Sequence, residues 1–254
     1  KEELARLADA GFREVVLTGI HLASYLDDTK RLIDVIELAN DTEGIERIRL
    51  SSLEPKIVTD AFADRLRDVE KLCDHFHLSL QSGSDSVLER MNRKYTTQEY
   101  RDRVDLIRKY LPDAGITTDI IVGFPGETED EFNETLRFVE EIGFSRIHVF
   151  KFSPRKGTPA ATMEDQVHGE IKNKRSEILI ALGDRLSEEF NNRYLEGAKE
   201  VLYEEHTKRD ENVYEGYTTN YIRVRTPSPV DLIGEIRDTR LEAVKGSLIH
   251  GTLI

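Results

Sequence analysis

Five short segments carry the residues that could do chemistry. They read Thr18-Gly19-Ile20-His21, Ser51-Ser52-Leu53-Glu54-Pro55, Gln81-Ser82-Gly83-Ser84, Gly123-Phe124-Pro125-Gly126-Glu127-Thr128 and Phe152-Ser153-Pro154-Arg155. Hydroxyls, an amide, a carboxylate and exposed backbone N–H groups suit hydrogen bonding to a sugar, a carboxylate or the edge of a base. None of the five offers a Ser/His/Asp set or a Walker-type phosphate loop. Each alone is also an ordinary turn or helix cap; all five together point to a ligand site. The sharpest is the fourth. Gly123 allows close approach of a backbone or ligand, Gly126 permits a tight turn after Pro125, and a helix starting near Thr128 presents free amides.

Histidines and basic residues add a second set. His75 and His77 form an HxH pair on one strand face, with His21, His148 and Asp119 on other strands. Such a pair can hold zinc in a barrel hydrolase. It precedes the strand's end at Gln81 by four residues or more, which favours histidines that hydrogen-bond their neighbours. Arg90, Arg93 and Lys94 follow the Gln81 loop, and Lys151, Arg155 and Lys156 follow the fifth strand; either group could pair with a carboxylate or phosphate.

The elements that must position these residues alternate regularly. Apolar runs at Val15–Gly19, Ile48–Ser52, Phe76–Gln81, Asp119–Gly123 and Ile147–Ser153 read as strands. Amphipathic stretches at about 32–39, 60–69, 98–110 and 129–142 read as helices between them. Thr96 with Glu99, and Thr128 with Glu131, fit capping boxes. Gly11, Gly115 and Gly143 sit where helices should stop. This βα alternation predicts a parallel sheet. In HFHLSLQS one face carries His75, His77, Ser79 and Gln81 and the other Phe76, Leu78 and Leu80. A polar inner face suits an open α/β barrel better than a doubly wound sheet, whose strands are apolar on both faces. Functional residues then belong at the strands' C-terminal ends.

After Pro159 the pattern changes. Residues 169–197 read as one long helix, with Gly197 as its stop. The tail shows β-like runs at Glu200–Glu204, Val213–Tyr217, Tyr221–Arg225, Leu232–Ile236 and Ser247–Ile254, the pattern of a small all-β barrel. The expected division is therefore 1–197 and 198–254. Tyr221, Arg223 and Arg225 alternate along a tail strand, an aromatic–arginine face of the kind that binds nucleic acid.

Composition sets the limits. The 254 residues carry a formal charge of −13, which argues against a non-specific nucleic-acid binder. The tail has eight basic against ten acidic residues, so most of the negative charge belongs to the first part. The single Cys73 excludes a disulfide scaffold and any three- or four-cysteine metal site from this chain alone. No run of 18 apolar residues occurs.

Read in order, LTGIHLASY, RIRLSSLEP, HFHLSLQSGSDSVLERMNRKYT, DIIVGFPGETEDEF and HVFKFSPRKGTPAATMEDQV resemble the radical S-adenosylmethionine methylthiotransferases over nearly the whole chain. Within that family the similarity is greatest to the MtaB type, which acts on threonylcarbamoyladenosine beside the tRNA anticodon. EGYTTNYIRVR followed by DLIGEI looks like the family's TRAM domain, an RNA-binding β barrel. The resemblance implies an α/β fold: a partial, open TIM-like βα barrel (1–197) followed by a TRAM-like all-β barrel (198–254). It implies a monomeric cytoplasmic enzyme acting on tRNA, with S-adenosylmethionine and two 4Fe–4S clusters. In the intact enzyme a 5′-deoxyadenosyl radical would take hydrogen from C2 of the adenine, and sulfur and a methyl group would follow.

The chain departs from the family where cysteines are concerned. The family's CxxxCxxC loop and its three further N-terminal cysteines are absent, so the expectation is a fragment with no cluster and no activity of its own. The resemblance assigns Thr18 and Gly19 to the methionine amino group. It gives Ser52, Glu54, Gln81 and Ser82 to the methionine or ribose, Arg93 to the carboxylate, and Asp119, Gly123, Phe152 and Ser153 to the adenine side. RNA contacts would come from Tyr221, Arg223, Arg225, Arg155 and Lys156. The alternatives are a non-catalytic tRNA-binding module and a zinc-dependent barrel hydrolase using His75 and His77.

Overall fold

The computed structural model describes residues 1–19 and 22–254, with Ala23 described by its backbone alone. The first part runs α1 (Glu2–Asp9), β1 (Glu14–Leu17), a short hairpin of β2 (Leu26–Asp27) and β3 (Lys30–Arg31), α2 (Leu32–Asn40), β4 (Arg47–Leu50), α3 (Asp60–Leu66) and β5 (His75–His77). It continues through α4 (Asp85–Arg90), α5 (Thr97–Tyr110), β6 (Gly115–Val122), α6 (Glu129–Ile142), β7 (Arg146–Lys151) and α7 (Gly169–Asn192). The tail holds β8 (Ala198–Thr207), β9 (Asp210–Tyr217), β10 (Arg223–Pro227), β11 (Ile236–Lys245) and β12 (Leu248–Leu253).

β1 pairs in parallel with β4, and β5, β6 and β7 pair in parallel in that order. Parallel bridges at Ile48–Leu72 and Leu53–Leu78 join the two groups, so five strands follow one another in chain order. Period-two alternation sorts their side chains. Val15, Ile48, Leu50, Phe76, Ile116, Ile120 and Val122 turn outward into one core with Ile36, Phe62, Val104, Phe132, Val139 and Leu179 of the helices. Glu14, Val16, Arg47, Arg49, His75, His77, Thr117, Asp119, Arg146, His148 and Phe150 alternate with them and take the inner face. Both expected capping boxes form: Thr96 accepts from the Glu99 N–H and Thr128 from the Glu131 N–H, with each glutamate reaching back to its cap.

The tail closes into a five-stranded barrel in the order β10-β12-β11-β8-β9. Phe190 from α7 enters its core beside Val201, Tyr203, Val224, Leu241 and Ile249. The buried Tyr203 hydroxyl is satisfied between Thr226 and Thr239 at 2.7 and 2.8 Å. The run Leu232–Ile236 mostly precedes a strand rather than forming one; the strand is β11, ten residues of mixed polarity whose alternation is weak. Similarly, α7 ends at Asn192, short of Gly197.

The two parts meet at the N-terminal end of the parallel strands. Arg49, 5% exposed, forms a two-pronged ion pair with Glu14 at 2.7 and 3.1 Å. It also donates to the carbonyls of Thr218 and Thr219. Arg47 donates to the Tyr217 carbonyl. Tyr221 stacks on His75 at 4.3 Å and on Tyr217 at 4.6 Å, with the Arg49 guanidinium over its ring. Tyr221 therefore does not share an open face with Arg223 and Arg225: it precedes β10 at φ +70°, and its ring is spent on the seam. Gly115 likewise ends no helix. It opens β6 where the Asn220 carbonyl presses on the strand, and a Cβ there would sit 2.3 Å from that oxygen.

Removing Arg49 leaves Glu14 buried without its counter-charge and frees two tail carbonyls. Arg49→Met should cost about 3–5 kcal/mol in urea unfolding. Adding Glu14→Leu should recover part of it, because the orphaned carboxylate goes too. A loss below about 1 kcal/mol would show that the seam does not rest on this pair.

Candidate functional site

The C-terminal ends of the parallel strands gather most of the chemistry-bearing residues, and side chains from the helices set their positions. β5 leaves its ladder after His77, yet the chain stays extended to Gln81. Tyr100 donates to the Leu78 carbonyl at 2.9 Å, and the Thr118 hydroxyl donates to that same carbonyl while accepting from the Leu80 N–H. The Tyr95 hydroxyl lies 2.9 and 3.0 Å from the carbonyls of Ser79 and Leu80. Burial pushes the Tyr95 phenol up to about 12, so it remains a donor. The Arg93 charge opposes that rise and the Glu54 carboxylate adds to it. Tyr95 and Tyr100 were missed in the sequence because a tyrosine in a loop or on a helix looks like ordinary packing; the run of carbonyls they hold appears only in three dimensions.

The Gly123–Thr128 turn is held from inside. The buried Glu127 carboxylate accepts from the Gly123 N–H at 2.6 Å and from Arg175 of α7 at 2.7 Å, while Arg175 also donates to the Glu127 carbonyl. The Lys172 side chain fills the space a Gly123 Cβ would need and donates to the Phe152 carbonyl at 3.1 Å. Two expectations change accordingly. The Gly123 N–H and the Phe152 carbonyl are taken by the protein and do not present themselves to a ligand. Ser82 is also turned away: it is fully buried, with its hydroxyl 3.4 Å from that of Thr135 on α6 and accepting from the Ser84 N–H.

Thr18, Gly19, Ser52, Glu54 and Ser153 are exposed at or just beyond these strand ends, Arg93 is exposed in the loop between α4 and α5, and Asp119 is half-buried on the inner face. Gln81 is buried at φ +72°, where the chain turns out of the sheet. Ile20 and His21 lie outside the described residues. Arg155 and Lys156 are exposed in the loop after β7. In the tail, Arg223 and Arg225 both pair with Glu215.

The HxH pair does not converge as a chelate. His75 and His77 share the Thr117 hydroxyl, each at 3.0 Å, and His75 is closed in beneath Tyr221. Burial, with Arg49 nearby, holds the His75 ring well below its ordinary range, so it stays neutral. This removes the donor pair on which the zinc-hydrolase alternative stood. Cys73 is buried against Glu14 and Arg49 at the seam, and burial pushes its thiol up to about 12. One inert thiol at the far end of the strands does not fit an iron–sulfur cluster.

The Radical SAM superfamily model matches residues 1–139. The chain is 45% identical over 92% of its length to the threonylcarbamoyladenosine tRNA methylthiotransferase MtaB of Bacillus subtilis, covering 53% of that protein. It is 39% identical over its whole length to a tRNA-2-methylthio-N(6)-dimethylallyladenosine synthase of Acetivibrio thermocellus, again covering 53% of the relative. The chain thus spans about half the length of the curated relatives it matches. Among solved structures, the coproporphyrinogen III oxidase of Escherichia coli, a radical SAM enzyme, superposes with a TM-score of 0.58 at 14% identity, covering 95% of this chain and 58% of that one. At that identity the likeness concerns the fold.

The turn's outer anchor is Glu131. Burial alone would raise its carboxyl, but Arg90, Ser86 and the Thr128 N–H outweigh burial and hold it at about 2. A depressed acid stabilises the fold above its unfolded value of 4.5 and loses that contribution as pH falls toward 2. With solvent screening, Glu131→Gln should cost roughly 1–2 kcal/mol at pH 7 and less than half of that at pH 3. Urea titrations of both proteins at the two pH values check this, and an unchanged gap would rule it out.

Proposed function

The chain belongs to the radical SAM superfamily, and from that membership we propose that it is the ligand-binding barrel and RNA-contacting part of a tRNA methylthiotransferase. The observation that carries the reading is the pairing of polar strand ends at one end of an open parallel sheet with a β barrel docked on the other. On this reading residues 1–197 form a partial, open TIM-like barrel and residues 198–254 a TRAM-like RNA-binding barrel. The reaction is methylthiolation at C2 of N6-threonylcarbamoyladenosine beside the anticodon. The protein works in the cytoplasm, as a monomer, on tRNA.

S-adenosylmethionine fits the set gathered at the strand ends. Glu54 and Arg93 offer opposite charges to its amino and carboxylate groups; Thr18, Gly19, Ser52 and Gln81 offer hydrogen bonds, and Asp119 and Ser153 face the base side. When bound, it supplies the methyl group and the radical chemistry of the superfamily. This chain's residues bind and orient it, and the tail keeps water out of the strands' other end. The described residues, with Cys73 as their one thiol, do not fit an iron–sulfur cluster.

Two measurements test the proposal. In the full-length protein, Gln81→Ala and Arg93→Ala should each weaken S-adenosylmethionine binding about tenfold, one charged or well-placed hydrogen bond apiece. Unchanged affinity in calorimetry would withdraw the assignment. Filter binding of an anticodon stem-loop across a salt series should give a falling log–log line that the Arg223→Ala/Arg225→Ala double variant flattens by about 1. Absence of any binding at low salt would reject the tail as an RNA contact.

A further inference from the structure

His77, Asp119 and His148 come from three successive strands and meet on the inner face. Asp119 lies directly across from His148 in the β6–β7 register. One donor atom from each lies within 4.8 Å of the others. The contact between His77 Nε2 and an Asp119 carboxylate oxygen measures 3.4 Å. That is long for a charge-assisted hydrogen bond, which runs about 2.7–2.9 Å. It matches the edge of a tetrahedron around a zinc-like ion with bonds of about 2.0–2.1 Å. His77 Nε2 is buried, with the Asp119 carboxylate as its polar neighbour.

The other side of the His77 ring is already fixed. Its Nδ1 lies 3.0 Å from the Thr117 hydroxyl. An N–H donated from Nδ1 to that oxygen leaves the Nε2 lone pair facing the Asp119 carboxylate. In that tautomer two acceptors face one another, and a cation fits between them. A second-sphere partner on the far ring nitrogen is also what orients metal-bound histidines.

We infer that His77, Asp119 and His148 form a binding site for a divalent first-row transition-metal ion of the zinc or iron(II) class, with its remaining coordination positions open to the inner face. Two imidazoles and one carboxylate suit these ions better than calcium or magnesium, which prefer all-oxygen sets. His148 is the exposed member and Asp119 is half-buried, so an ion can reach the site from the inner face. The site lies on the same face as the sealed His75, two residues further along β5, and shares only His77 with the hydrolase pair. It makes no use of Cys73.

Cobalt(II) is the probe, because its d–d absorption reports coordination without any activity assay. Titration of the purified chain at pH 7.5 should give one saturating visible band with a 1:1 end point in the micromolar range, displaced by zinc. Asp119→Ala and His148→Ala should each weaken it at least about 100-fold, and Thr117→Val about tenfold through loss of the ring's support. The exposed tail variant His206→Ala should bind as the unaltered chain does. Circular dichroism melts confirm that each variant is folded; His148, being exposed, should tolerate replacement. No saturable band below millimolar cobalt, or a band that survives the Asp119→Ala/His148→Ala pair, would overturn the inference.

Discussion

The lower end of the molecule is organised by the buried charge of Arg49. A guanidinium out of water needs a counter-charge and a full set of acceptors. Glu14, on the neighbouring strand, supplies the charge. The sheet cannot supply the acceptors, because its own carbonyls are committed to the ladder. The turn at Thr218 and Thr219 brings two free carbonyls to the spot. The tail barrel is thus part of the electrostatic completion of the sheet. Once it is docked there, the Tyr217–Tyr221–His75 stack and the glycine at 115 follow from the same close approach.

That docking gives the inner face a direction. Its lower end is closed by aromatic rings, its middle carries the Thr117-linked histidines and Asp119, and its upper end opens among exposed hydroxyls and charges. Val16 and Phe150, on the first and last parallel strands, are 51% and 52% exposed. The upper rim is held by a different device. Lys172 and Arg175 reach back from α7 to the Gly123 turn and the end of β7, so the long helix sets the rim as well as packing on the sheet.

Much of this was legible in the residues. The strand and helix order followed from periodicity, because core-facing positions recur at spacings the backbone imposes. Both capping boxes formed as read, since cap chemistry is local. The inner polar face of β5 was visible as alternation. What escaped were contacts between parts distant in sequence. Tyr221 looked like half of an aromatic–arginine strand because nothing nearby shows that a ring from β5 lies beneath it. Gly115 looked like a helix stop because the Asn220 carbonyl that requires a glycine is over a hundred residues away. Gly123 and Ser82 looked like ligand donors because the side chains that occupy them come from α6, α7 and the turn's own glutamate. The triad on the inner face was half seen: its three members were noted, but strand register decided that His148 and not His75 stands beside His77.

The acidic balance of the chain also takes on a different meaning. Arg47, Arg49 and Arg175 are buried cations spent on the fold. Arg223 and Arg225 are spent on one buried acid, Glu215, whose carboxylate both guanidiniums grip. A phosphate arriving there meets a cluster of net charge near +1, and two arginines already ordered by a shared partner. Ordering two long side chains costs about 2 kcal/mol each in rotamer freedom, and here the fold has already met that cost. The field that would draw RNA in is weaker than two free arginines would give, and the geometry that would hold a phosphate is firmer. In a chain of charge −13 that exchange favours a contact made at short range over one steered from a distance.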